Sequence, residues 1–136
     1  MISGLGSDIC NIERIAGSYK RFGERFVNRC FGKKEQAEFP SAEHGKQYAE
    51  ALAKRFAAKE AFVKALGTGF RYGLRWSEIE VLHEESGKPY ILLSGKTLRF
   101  AENFGVKKIW VSLSDDYPYT QAVVILENLV EKDYGI

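Results

Sequence analysis

The stretch from Tyr48 to Gly67 (YAEALAKRFAAKEAFVKALG) constrains the fold of this chain more than any other. It is built almost wholly of strong helix formers, with no proline and no glycine before its last residue. At ~100° per residue it predicts one long helix whose small and apolar side chains form a packing stripe. Glu60 interrupts that stripe, falling between Phe56 and Val63 and above Ala49 and Ala53. An ionised carboxylate that faces a core is strongly disfavoured without a compensating cation, most simply a metal. Lys64, one turn on, is the ordinary alternative. An i,i+4 Glu–Lys pair contributes only ~0.2–0.5 kcal/mol at a surface, which explains an exposed pair but not an acid on a packing face.

Around this helix the chain has 136 residues, 45% hydrophobic and 28% charged, a size and balance suited to one compact domain with its own core. Residues Met1 to Cys10 read as a strand in which Leu5, Ser7 and Ile9 alternate with Ile2, Gly4, Gly6 and Asp8. Asn11 caps a helix that starts near Ile12, breaks at Gly23 and resumes to Arg29. A brief helix follows at Lys33 to Glu38, and Pro40 and Ser41 separate it from the long helix, which ends at Gly67-Thr68-Gly69. Arg75 to His83 and Pro89 to Leu93 form a predicted hairpin through Ser86-Gly87-Lys88. Thr97 to Phe104 is a helix closed by Gly105, and Lys108 to Ser114 with Thr120 to Leu126 form a second hairpin around Asp115 to Tyr119. The tail from Lys132 is expected to fray. The fold class is therefore α+β, an antiparallel sheet packed on a long helix.

The formal net charge of +2 argues against a nucleic-acid binder driven by bulk electrostatics, and no stretch approaches the ~18 apolar residues that span a bilayer. Cys10 and Cys30 follow no disulfide or metal-ligand spacing, and the N-terminus carries no basic leader, so the expected setting is a reducing cytoplasm. His44 and His83 have no second histidine near them and are expected in surface or turn positions. Trp76, Trp110, Phe62, Phe100 and Phe104 are scattered, as core or interface aromatics would be.

Asp8 repeats the anomaly of Glu60 in a strand. It follows Gly4 and Gly6 on one face, where missing side chains admit another backbone or a ligand. Two carboxylates from distant segments, with no histidine or thiolate between them, suit a hard cation such as Mg²⁺, which takes water and phosphate oxygens as its remaining ligands. Lys59, Lys64 and the glycine-rich turn lie beside the pair in sequence, a combination that points to phosphoryl-group chemistry. A basic run, Arg14, Lys20, Arg21, Arg25 and Arg29, precedes the long helix. Arg14, Arg21 and Arg25 share a face if helix continues through Gly23. An isolated run of this kind is usually a solvated face.

Gly4-Leu5-Gly6-Ser7-Asp8-Ile9 with Arg14-Ile15, and Arg55-Phe56-Ala57-Ala58-Lys59-Glu60-Ala61-Phe62-Val63-Lys64-Ala65 with Gly67-Thr68-Gly69, resemble the two signatures of the phosphopantetheinyl transferases of the holo-[acyl-carrier-protein] synthase type. Gly87-Lys88-Pro89-Tyr90, Val111 to Ser114 and Ala122 to Glu127 fall where that family has them, so the resemblance spans nearly the whole chain. It implies transfer of the 4′-phosphopantetheine arm of coenzyme A to a serine of an apo acyl carrier protein in fatty acid biosynthesis, with release of adenosine 3′,5′-bisphosphate. Carried over by position, Asp8 and Glu60 hold Mg²⁺, and Lys64 stabilises charge as the phosphoanhydride breaks. Arg55, Lys59, Gly67, Gly69, Ser114 and Asp115 contact coenzyme A. Glu60 or a metal-bound water accepts the serine proton, and Arg14, Arg21 and Arg25 dock the acidic carrier protein. The family also implies a homotrimer with active sites between subunits. One departure stands out: Ser112-Leu113-Ser114-Asp115 puts an acid where the family commonly has a histidine. Two other functions use parts of the same pattern, a Mg²⁺-dependent nucleotide pyrophosphatase and a carrier-protein docking module without activity.

Overall fold

The computed structural model describes residues 1–128, so the predicted fraying from Lys132 lies outside the described residues. Strand β1 (Ile2–Asn11) leads into helices α1 (Ile12–Phe22), α2 (Glu24–Cys30), α3 (Lys33–Glu38) and the long α4 (Gly45–Leu66). A single 3₁₀ turn (Trp76–Glu78) then enters the hairpin β2 (Ile79–His83) and β3 (Pro89–Leu93). Helix α5 (Gly95–Asn103) and the hairpin β4 (Lys108–Asp116) and β5 (Tyr119–Glu127) follow. The strands form two antiparallel sheets, one ordered β1-β5-β4 and the other β2-β3.

The core lies between the larger sheet and α4. Ala53, Ala57, Ala61, Phe62 and Val63 of the helix meet Ala122, Val124 and Leu126 of β5, all at most 1% exposed. Alternation within the strands is sharp. Cys10 is buried while Leu5 and Ile9 on the opposite face of β1 are 65% and 63% exposed. The bare face of β1 receives the α4 backbone: a Cβ on Gly6 would sit 2.1 Å from the Ala61 carbonyl oxygen, and one on Gly4 would sit 2.2 Å from that of Ala65. Only glycine permits that approach.

Several local expectations hold. The Asn11 side chain accepts from the Glu13 N–H at the start of α1, and Gly67 ends α4 in the left-handed region at φ 82°. Gly23, at φ 61° and ψ −137°, separates α1 from α2, so the continuous helix that would align Arg14, Arg21 and Arg25 does not form. Arg25 belongs to α2 instead. Two other boundaries move. The last hairpin is longer than expected, with Asp115 and Asp116 in β4 paired to Thr120 and Tyr119, which leaves only Tyr117 and Pro118 as the turn. The first half of the predicted strand Arg75 to His83 is the 3₁₀ turn, because its polar groups are drawn sideways. The Glu78 carboxylate accepts from the N–H and hydroxyl of Thr97 at the start of α5, and the Trp76 carbonyl accepts from Lys59.

Candidate active site

Strand β1 and helix α4 bring Asp8 and Glu60 into one site, together with Lys64. The Lys64 ammonium donates to Asp8 Oδ1 at 2.9 Å and to the Ser7 carbonyl at 3.1 Å. The lysine thus reaches across to the strand rather than pairing with Glu60 along its own helix. Its side chain is 53% exposed and that of Asp8 19%, so the site opens to solvent through the lysine. Burial raises the Glu60 carboxyl above the ordinary value, and the neighbouring Asp8 charge raises it further, against the opposing pull of Lys64 and Arg14. The pull of Lys64 and Arg14 on Glu60 does not outweigh its burial and the Asp8 charge. The adjacent Cys10 thiol, also raised chiefly by burial, stays protonated. Two carboxylates from separate elements, with a protonated thiol beside them, fit a hard divalent cation. Among the described residues no group of three or more such ligands occurs.

Arg14 on α1 contributes to the electrostatics of both Glu60 and Cys10, which places it with the carboxylate site. Arg21 stacks its guanidinium over the Phe22 ring at 5.1 Å. Arg25 joins Arg29 along a groove of about 410 Å³ whose floor is Phe22, Phe26, Phe56 and Trp76. Phe56, which lines this basic, aromatic groove, lies one helical turn before Glu60 on α4. Trp76 is stacked between Phe56 and Phe70, with ring centroids 4.5 Å and 3.9 Å away.

Four residues expected at coenzyme A are engaged within their own chain in this structure. The Lys59 side chain is fully buried, and its ammonium donates to Glu35 Oε1 at 2.7 Å and to the carbonyls of Trp76 and Ile79. It offers nothing to a phosphate. Arg55 is 3% exposed, with its guanidinium engaged by the carbonyls of Val81 and Ala51, by Glu38 at 2.8 Å and by the His83 ring. The N–H groups of Gly67 and Gly69 turn back onto the Val63 carbonyl and close the helix end, so they do not cradle an anion.

Ser114 and Asp115 stand apart from the carboxylates. Asp115 Oδ1 accepts from the Thr120 hydroxyl at 2.5 Å and borders a groove with Lys54, Arg55, Glu38 and His83. Register explains the separation: Asp8 pairs with Ala122 on β5, whereas Asp115 pairs with Thr120 from the other side of that strand. His83, expected at a surface or turn position, donates its ring Nδ1–H to Glu38 Oε1 over 2.9 Å. Burial pushes the Glu38 carboxyl up, but hydrogen bonds from the ring and backbone N–H of His83 and the Arg55 charge outweigh it, leaving Glu38 below the usual range. Of the five aromatics expected in the core or at an interface, Phe62 is fully buried, while Trp110 and Phe104 are 40% and 54% exposed.

Sequence reasoning overlooked Glu35 and the burial of Lys59. The signal was present in the helix pattern. Lys59 has Leu52, Phe56, Phe62, Val63 and Leu66 at spacings of three, four or seven, a more central place on the stripe than that of Glu60.

A family model for the 4'-phosphopantetheinyl transferase superfamily matches residues 4–122. The holo-[acyl-carrier-protein] synthase of Erythrobacter litoralis (strain HTCC2594) is 49% identical over 131 residues, 93% of this chain and 97% of that protein. The Sinorhizobium medicae (strain WSM419) protein of the same name is 46% identical over 133 residues, 95% and 94% of the two chains. Among solved structures, the holo-[acyl-carrier-protein] synthase of Neisseria meningitidis superposes with a TM-score of 0.85 at 36% identity, covering 94% of this chain and all of that one (100%). The Helicobacter pylori synthase, solved in complex with coenzyme A, superposes with a TM-score of 0.76 at 29% identity and covers 90% and 99%. With sequence and fold agreeing over nearly its full length, this chain belongs to the 4'-phosphopantetheinyl transferase superfamily and, within it, to the holo-[acyl-carrier-protein] synthases.

Proposed function

We propose that the chain transfers the 4′-phosphopantetheine arm of coenzyme A to a serine hydroxyl of an apo acyl carrier protein in fatty acid biosynthesis, with Mg²⁺ held by Asp8 and Glu60, and releases adenosine 3′,5′-bisphosphate. The observation that carries this reading is the meeting of those two acids with Lys64 at an opening beside a basic groove. When bound, Mg²⁺ supplies Lewis-acid neutralisation of pyrophosphate oxygens. The rest follows from the chain itself. Lys64 is the exposed member of the trio, and its ammonium is placed to meet an anion arriving from solvent and to stabilise charge on the departing nucleotide phosphate. Glu60 is the half-buried carboxylate of the site and the candidate acceptor of the serine proton. Arg25 and Arg29 give the aromatic groove the charge that attracts an acidic carrier protein, and Arg14 stands between that surface and the carboxylates.

Leu5, Ile9 and Trp110 leave the outer face of the larger sheet apolar and exposed. That face supports association into a homotrimer. Ser114 and Asp115 lie away from their own chain's carboxylates, which suits a role at a neighbouring subunit's site. No helix among the described residues is long and apolar enough to cross a membrane. With coenzyme A as donor and two free thiols, we place the enzyme in the cytoplasm. Mass spectrometry of apo carrier protein incubated with coenzyme A, Mg²⁺ and the enzyme tests the reading. A gain of ~340 Da on the carrier supports transfer to a hydroxyl. Cleavage of coenzyme A without that gain identifies a hydrolase, and no change in either molecule leaves a docking module.

A further inference from the structure

We infer that Lys59 is a positioning residue for Glu60: with Glu35 it pins α4 so that the next residue along the helix is aimed at Asp8. The inference rests on the carboxylate site proposed above and adds to it a buried polar bracket on the far side of the helix. Both side chains of the Glu35–Lys59 pair are fully buried, 2.7 Å apart. The bracket ties three elements together. Glu35 Oε1 accepts from the Gly32 N–H at 2.9 Å at the start of α3, and Oε2 accepts from the Val81 N–H of β2 at 2.9 Å. Lys59 donates to the Trp76 carbonyl at 2.9 Å and to that of Ile79, at either end of the 3₁₀ turn. It also lies 5.2 Å from the centroid of the Phe31 ring. Glu80 completes the frame from β2, accepting from the N–H groups of Lys34 and Glu35 at 2.8 Å and 3.1 Å.

Three consecutive helix residues then have different tasks. Residue 59 is held by α3 and β2 through the ammonium. Residue 61 is held by β1, whose Gly6 lies against the Ala61 carbonyl. Glu60 projects between the two anchorages. A long helix packed mainly through alanines has few large side chains to fix its rotation or its axial position, and small residues slide more easily than interlocking ones. An ammonium with three directional partners resists both movements. A buried ion pair adds little to stability over an apolar pair, and geometric specification is the better-attested reason for one to occur.

The test compares wild type with Lys59→Met and Glu35→Gln. It reads the thermal midpoint, kcat and KM for coenzyme A in carrier loading, and Mn²⁺ affinity by electron paramagnetic resonance without coenzyme A. In folded Lys59→Met the expected result is a kcat reduced at least tenfold, a KM for coenzyme A within twofold of wild type, and Mn²⁺ binding weakened about fivefold or more. Glu35→Gln removes the buried negative charge while keeping the side chain's size and one acceptor oxygen for a backbone N–H, and it decides the matter if the first variant fails to fold; it is expected to show the same pattern in smaller measure. A folded variant of either kind with wild-type kcat and wild-type Mn²⁺ affinity overturns the inference. The Mn²⁺ measurement does not depend on the transfer reaction, so a wild type that loads no carrier protein refutes the function while leaving the positioning test readable. Equally, a wild type that binds no Mn²⁺ refutes the metal site and leaves kcat to judge the bracket.

Discussion

Replacing Gly6 by alanine puts a methyl group between two closely packed backbones. The added Cβ would lie 2.1 Å from the Ala61 carbonyl oxygen and 2.7 Å from the Ala65 nitrogen. Ordinary contact begins near ~3.4 Å, so β1 and α4 must separate by ~1.3 Å, and both obstructing atoms are backbone that cannot rotate away. Overpacking of this kind costs about 1–3 kcal/mol, which for a chain of this length corresponds to a fall in Tm of roughly 3–12 °C. The same displacement reaches the site. Asp8 is two residues further along the strand and Glu60 is adjacent to Ala61, so the separation appears almost undiminished between the two carboxylates. A misplacement of ~1 Å costs on the order of 10²-fold in rate. Differential scanning calorimetry and mass-spectrometric carrier loading measure the two effects on one preparation. Gly6→Ala with unchanged Tm and unchanged turnover would falsify the argument that the approach of glycine to helix sets the carboxylate geometry.

Glu60→Gln should abolish carrier loading, by at least ~10²-fold, without destabilising the metal-free protein. Its carboxyl is raised in the folded state, so ionisation above its unfolded pKa opposes folding, and the stability it contributes grows as pH falls. The neutral amide should therefore melt no lower than wild type at pH ~7, and Mg²⁺ should raise Tm in wild type alone; a variant that Mg²⁺ stabilises equally would remove Glu60 from the metal site. Charge reversal at Arg25 and Arg29 should raise KM for the carrier protein about five- to tenfold with little change in kcat, and added salt should weaken wild-type binding; steady-state kinetics across ionic strength decide this. Glu38 gives the opposite pH dependence to Glu60. Its folded carboxyl lies below the ordinary value, so its contribution is present above the unfolded pKa of ~4.5 and disappears as pH falls through the folded one. The Tm advantage of wild type over Glu38→Gln should accordingly hold near neutrality and vanish in acid, and an advantage that persists to pH ~3 would contradict the His83 and Arg55 contacts.

The elements were largely legible because they are written in local patterns: the alanine-rich helix, the Asn11 cap, the Gly67 stop and the hairpin at Ser86-Gly87-Lys88. Asp8 and Glu60 were legible because each puts a charge on a face that otherwise packs. The errors share one cause. Trp76 and Glu78 alternate like strand residues, but whether their carbonyls join a ladder is decided by Lys59 and by the start of α5, both distant in sequence. The resemblance set Arg55 and Lys59 against coenzyme A, a role for cations free to meet a phosphate. Their burial requires partners, Glu38 and Glu35, that only the docking of α3 supplies. Gly67 and Gly69 suggested a phosphate cradle, yet the same glycines terminate the helix, and a helix end uses the very N–H groups that a cradle needs.

Strand β1 carries two messages in alternate letters. Asp8 and its glycines look inward, whereas Leu5 and Ile9 look outward. Point changes can rewrite either message alone, so a polar residue at Leu5 or Ile9 should change the exposed face and leave Asp8 where it is. Inserting or deleting one residue exchanges the two readings together, turning the acid toward the exposed face and leucine toward the helix. Engineering and natural drift in this segment are thus free to substitute but not to slip.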